Sequence, residues 1–123
     1  MGPRPVVEPN WLARLTDRSM FLGSGDAIYK LGETRNVYGD QMLVEVDLGD
    51  LEKAAFFDSD ESLIIVYEDR LKAADVGTHN VYVSASYVDT DGQLVSFGKK
   101  LKLNIFDPFL DSLFGEPDEA DPD

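Results

Sequence analysis

The chain has no cysteine and a single histidine, His79. The first absence excludes disulfides, zinc–thiolate centres and a cysteine nucleophile. The second leaves a nucleophilic triad with one available imidazole base. No apolar run approaches the ~20 residues needed to cross a bilayer as a helix. Met1-Gly2-Pro3-Arg4-Pro5 lacks a basic stretch followed by an apolar one, so it does not read as a signal peptide. Bases are scarce: 11 Lys and Arg stand against 24 Asp and Glu, for a formal charge of −13. Binding to nucleic acid or anionic lipid needs clustered Lys and Arg, so both are disfavoured as partners. The imbalance is partly local. After Lys102 there is no base, and seven acids follow: Asp107, Asp111, Glu116, Asp118, Glu119, Asp121 and Asp123.

What remains is a chain of 123 residues, 43% hydrophobic, which is enough for one domain with a core of its own. Short apolar segments are separated by turn residues. The stretch 42–48 alternates, with Met42, Val44, Val46 and Leu48 on one face and Glu45 and Asp47 on the other. In 79–88, His79, Val81, Val83, Ala85 and Tyr87 share a face. Asp89-Thr90-Asp91-Gly92 reads as a hairpin turn, and Val95, Phe97, Leu101, Leu103 and Ile105 share a face beyond it, broken by Lys99. Period 2 with turns at short spacing predicts an antiparallel β-sandwich. Seven strands are expected, at 19–22, 27–31, 42–48, 54–57, 63–67, 79–88 and 94–106. The expected core is Val44, Val46, Phe57, Ile65, Leu71, Val81, Val83, Leu101 and Leu103. Residues 1–8 read as an N-terminal arm, 9–107 as the sandwich and 108–123 as a flexible acidic tail or linker. Pro5, Pro9 and the pair Trp11-Leu12 suit an extended arm that tucks the Trp onto the domain edge; a short amphipathic turn over 10–15 is the alternative.

Catalytic signatures are absent from the sequence. Gly23-Ser24-Gly25 is not a nucleophile elbow, and neither G-x-x-x-x-G-K-[ST] nor H-E-x-x-H occurs. Acids gather at two turns, Asp58-Ser59-Asp60-Glu61 and Asp89-Thr90-Asp91. Calcium wants six to eight oxygens. The second turn echoes half an EF-hand, but Tyr87 and Gly98 stand at its first and twelfth ligand positions. Solvated turn acids, no metal and no cofactor are therefore expected. An enzyme or a sugar-binding sandwich would need an aromatic platform drawn from Trp11, Tyr38 or Tyr67.

Asp75-Val76-Gly77-Thr78-His79-Asn80-Val81 carries a resemblance. Immunoglobulin-like sandwiches enter strand F through D-x-G-x-Y-x-C, and here His79 stands for the Tyr and Val81 for the Cys. Around it lie Tyr29 after a Gly-Asp turn, Val46-Asp47-Leu48-Gly49, Phe56-Phe57-Asp58, Leu63-Ile64-Ile65, the Asp89-x-Asp91-Gly92 hairpin and Leu101-x-Leu103-x-Ile105. Over 9–106 the chain resembles the dystroglycan-type cadherin-like and immunoglobulin-like domains that recur in large cell-surface proteins. The resemblance implies a seven-strand immunoglobulin-like, cadherin-like sandwich used for adhesion, protein binding or domain spacing, and not for catalysis. It makes Leu71, Asp75, Gly77 and His79 a structural corner. The cadherin calcium signatures L-D-R-E and D-x-N-D do not occur, so calcium-dependent adhesion is not implied.

The expected function is a non-enzymatic module of a larger extracellular or cell-surface protein, meeting a protein partner or a neighbouring tandem domain. The alternative is a cytoplasmic β-sandwich adaptor that docks a partner through its tail. There Asp107, Pro108, Phe109, Leu110, Leu113 and Phe114 form the candidate docking motif, ahead of the acidic stretch 116–123, which is expected to be mobile and removable.

Overall fold

The computed structural model describes residues 4–109. The tail residues Leu110, Leu113 and Phe114, and the acidic stretch 116–123, lie outside the described residues. The elements run α1 (Asn10–Ala13), β1 (Arg18–Phe21), β2 (Ala27–Lys30), β3 (Leu43–Asp47), β4 (Ala55–Asp58), β5 (Leu63–Val66), β6 (Gly77–Val88) and β7 (Leu94–Phe106). Single 3₁₀ turns at Gly49–Leu51, Glu68–Arg70 and Ala73–Asp75 join them. The strands form a four-stranded sheet in the order β1-β7-β6-β3 and a three-stranded sheet in the order β2-β5-β4. The fold is all-β and sandwich-like.

The backbone of the four-stranded sheet is the β6–β7 ribbon, paired from Gly77↔Ile105 to Val88↔Leu94. Its inward positions follow the expected alternation. Val81, Val83, Ala85 and Tyr87 of β6 and Val95, Leu101 and Ile105 of β7 are buried. They meet Ile64 and Val66 of β5 across the core. Val44, Val46, Phe57, Leu71 and Leu103 are half-buried against it. β3 is an edge strand, which explains why its two valines are incompletely covered.

Four expectations are corrected. The arm is not extended throughout: 10–13 form a helical turn that buries Trp11 and Leu12. The Pro9 carbonyl accepts the Leu12 and Ala13 N–H groups, each at 3.1 Å. Lys99, which interrupts the apolar face of β7, donates from Nζ to the carbonyls of Leu12 and Ala13 at 3.3 and 2.8 Å. Its stem lies along the core while its charge meets the carbonyl end of α1.

The second correction is that the sandwich is not wholly antiparallel. β1 pairs parallel with β7, from Arg18↔Leu103 to Phe21↔Phe106. Because α1 sits beside Lys99, the chain leaves it heading the way β7 runs. The third is Ile65. The run Leu63-Ile64-Ile65-Val66 has no polar residue to mark its faces; Ile64 and Val66 point to the core, and Ile65 points outward, half-buried. The fourth is Trp11, which belongs to the core and so cannot serve an exposed aromatic platform.

Candidate functional site: the corner at the start of β6

Asp75 ends a 3₁₀ turn, and its carboxylate folds back to accept the Lys72 N–H at 2.7 Å. The Asp75 N–H in turn donates to the Lys72 carbonyl at 2.8 Å. Lys53 Nζ reaches the other carboxylate oxygen at 2.6 Å. Lys53 and then the Lys72 N–H hold the Asp75 carboxyl below its ordinary acidity range, against its burial. Gly77 follows with φ +134°, a backbone conformation that a Cβ disfavours, and opens β6.

His79 then points inward and is buried. Its Nε2 lies 2.6 Å from the Asp75 carbonyl, four residues upstream. Its Nδ1 lies 2.9 Å from Asp50 Oδ1. Both neighbours are acceptors, so each ring nitrogen does best as a donor, and the ring satisfies both only as imidazolium. Burial pushes the His79 pKa down. The Asp75 carbonyl and the Asp50 carboxylate outweigh that, and the net shift is upward. The ring fastens the chain before β6 to β6 itself and to the 3₁₀ turn after β3. Leu71, half-buried, packs against the core near the same corner.

Sequence reasoning missed Asp50 and Lys53. They lie 29 and 22 residues from their partners His79 and Asp75, and no local spacing announces such pairs. It also missed Arg4 at the other end of β6. Asp89, just past the strand, is buried. Arg4 donates to Asp89 Oδ1 from Nε at 2.8 Å and from Nη2 at 2.5 Å, and to Asp40 Oδ2 at 3.1 Å. The guanidinium stacks 4.1 Å over the Tyr38 ring, whose hydroxyl donates to the Pro5 carbonyl at 2.7 Å. This clamp ties the arm to the hairpin. The Arg4 hydrogen bond lowers the Asp89 pKa, and hydrogen bonds from Asn36 and Arg4 lower that of Asp40.

The other turn acids serve their own turns. Asp58 Oδ1 accepts the N–H groups of Asp60 and Glu61 at 3.0 and 3.1 Å, and Asp91 Oδ1 accepts that of Gln93 at 3.2 Å. The Gly23-Ser24-Gly25 turn is held by the Glu68 carboxylate, which accepts the Gly23 N–H and, at 3.2 Å, the Gly25 N–H. In the candidate tail motif, Asp107 is half-buried, whereas Pro108 and Phe109 are exposed. Tyr67 is half-buried beneath Arg70, whereas Tyr38 lies beneath Arg4.

Depressions mark the surface of the described residues; one of about 200 Å³ lies beside Trp11, Arg14, Tyr29 and Lys30. A cleft of about 620 Å³ runs beside the free edge of β3, between Arg35, Gln41 and the Asp60–Glu61 turn. An apolar slot of about 130 Å³ opens between β1 and β2, floored by Val66, Val81 and Leu101. None of these three is lined by His79. The corner does not gather a nucleophile, a base and an open substrate space; it is a fastening. No protein-family model matches the chain, and no curated protein matches it.

Proposed function

We propose that the chain is a non-enzymatic immunoglobulin-like module of a larger extracellular or cell-surface protein, serving protein interaction, adhesion or domain spacing. The observation that carries this reading is strand order. Immunoglobulin-like sandwiches set their B, E and D strands in one sheet and C, F and G in the other. With β2 to β7 lettered B to G, the two sheets here are B-E-D and C-F-G. β1 departs from the constant-type arrangement by joining β7 instead of β2. In the same frame the corner residue sits two positions before the core residue of strand F, and its side chain bonds backbone a few residues upstream. His79 stands in that relation to Val81 and Asp75. Surface labelling of intact cells that express the full-length parent tests the reading. Labelling of this domain is expected. Protection in intact cells with labelling only after lysis would overturn the placement.

One observation favours a second reading, a cytoplasmic adaptor docking through its tail. Asp107 Oδ1 accepts the Phe109 N–H at 2.9 Å, and this turn leaves Phe109 64% exposed. The same labelling experiment separates the two readings, since the adaptor predicts the protected outcome.

A further inference from the structure

The outward faces of the two sheets differ in chemistry. On the four-stranded sheet the outward centre of β6 and β7 is mostly polar, with Asn80, Ser84, Ser86, Ser96, Lys100 and Lys102 around Tyr82, and its exposed aliphatics, Leu43, Val88 and Leu94, lie towards the hairpin end. The three-stranded sheet is more apolar across its whole outward face. Its outward positions form two rows, fixed by register. One row is Ile28–Ile65–Phe56, and the next is Lys30–Leu63–Asp58. Ile28 is 49% exposed and Phe56 53%, both on edge strands. A solvated sheet face normally alternates polar residues outward. Here four of six outward positions are apolar, and they are contiguous, which is the pattern of a contact surface.

The two charged positions identify what covers it. Lys30 lies on β2 and Asp58 on β4, the two edges, with β5 between them. At about 4.8 Å per strand they stand about 10 Å apart, too far to pair within one sheet. Neither forms an ion pair among the described residues. A two-fold axis laid along β5 in the plane of contact exchanges β2 with β4. It sets Lys30 of each copy against Asp58 of the other, Ile28 against Phe56, and Ile65 and Leu63 against their own counterparts. Every like contact is apolar and every charged contact joins opposite signs. A self-complementary patch of this kind is what an isologous interface requires.

We infer that the outward face of β2, β5 and β4 is a homophilic contact, covered by a second copy of this chain. The face is small. Three short strands offer well under the ~800 Å² per partner of a stable complex. The net charge of −13 also opposes approach of two copies. The contact is therefore weak in solution, with a dissociation constant of hundreds of micromolar, on the order of 5 kcal/mol. It becomes effective where copies are tethered, since linked sites raise the local concentration to about millimolar. This deepens the reading of the chain as an interaction module, and rests on it, by naming the partner.

Sedimentation equilibrium of the full chain at physiological salt is the test, with loading concentrations up to about 1 mM to span the expected transition. The weight-average mass should rise towards that of a dimer. Phe56→Ser should abolish the rise, and Lys30→Glu should weaken association about tenfold or more by setting like charges together. Asp58→Asn keeps the turn, because an amide oxygen accepts the same two N–H groups, and should weaken association as well. Leu94→Ser, on the outward face of the other sheet, should leave it unchanged. Circular dichroism of each variant confirms folding. A monomeric mass at every concentration overturns the inference, as does association that survives both Phe56→Ser and Lys30→Glu or is abolished by Leu94→Ser. Failure here with the domain still labelled on intact cells removes the homophilic partner alone; failure of the labelling removes the module reading itself.

Discussion

The two ends of β6 each bury a carboxylate, and they hold it by different means. At the start of the strand, Asp75 is gripped by its own turn through the Lys72 N–H, by Lys53, and indirectly by His79 reaching its carbonyl. At the far end, Asp89 is gripped by Arg4, 85 residues away, from an arm that precedes the sheets. The first arrangement spans 29 residues at most and includes a titrating imidazole whose pKa is raised from its ordinary value. The second closes a long loop with a guanidinium that stays charged at every accessible pH. The corner therefore fixes how β6 begins, and the clamp decides whether the arm stays on the domain.

The largest effect should come from between the two ends. Val83 is fully buried at the centre of β6, and Val83→Asp should unfold the chain, since an unpaired buried charge costs about 3–5 kcal/mol. A variant that keeps the wild-type melting temperature would show that β6 does not run through the core. Next comes Asp75→Ala. It strips the Lys72 N–H of its acceptor and should cost about 2 kcal/mol in denaturant unfolding. Arg4→Ala should act elsewhere. Proteolytic cutting within 6–8 should quicken sharply while the amides of β6 from Gly77 to Val83 keep their protection from exchange; loss of protection at the corner would join two ends that are separate here. Gly77→Ala should cost about 1 kcal/mol through backbone strain alone, because nothing lies within 4 Å of the added Cβ.

The pH dependence has a sign at each end. The His79 pKa is raised above its ordinary value near 6.5. Its contribution is complete below that value and is lost as pH rises through the folded pKa. The pKa values of Asp75 and Asp89 are lowered from near 3.8. Their contributions are present above that value and are lost as pH falls through the folded pKa values. Urea midpoints should therefore decline as pH rises above about 6.5 because of the corner, joined in strong alkali by Tyr87, whose burial raises its pKa above the ordinary 10.0, and on the acid side because of both ends. A decline short of strong alkali that persists in His79→Ala would assign it to another group.

Much of the frame was legible in the sequence. The bounds of β7 coincide with the expected ones, because alternation resumes in phase after Lys99 and runs from the Asp-Gly turn to Pro108. β6 begins two residues earlier than expected, at the glycine that starts it. Where polar residues mark a face, as in β6, the buried side was readable. In β5, where all four residues are apolar, it was not, and Ile65 was assigned to the wrong side. Period 2 gives no strand direction, so the parallel pairing of β1 was invisible. Lys99 looked like an interruption because its acceptors are carbonyls of a helical turn that the prolines disguised. At the corner, Asp75, Gly77 and His79 were singled out by the resemblance. Asp50 and Lys53 were not, because tertiary contact alone brings them there.

The most direct test of the corner is the stability of His79→Tyr beside His79→Ala, measured by urea unfolding at pH 6 and pH 8. A tyrosine hydroxyl can donate to the Asp75 carbonyl in place of Nε2–H, but it does not titrate in this range. His79→Ala leaves that carbonyl and Asp50 without their donor and should cost about 1–2 kcal/mol at pH 6. His79→Tyr should stay close to wild type at pH 6 and lose the decline between pH 6 and pH 8. If His79→Tyr unfolds the chain while His79→Ala leaves it as stable as wild type, His79 is not a fastening of the immunoglobulin-like kind. The proposed module would then rest on strand order alone.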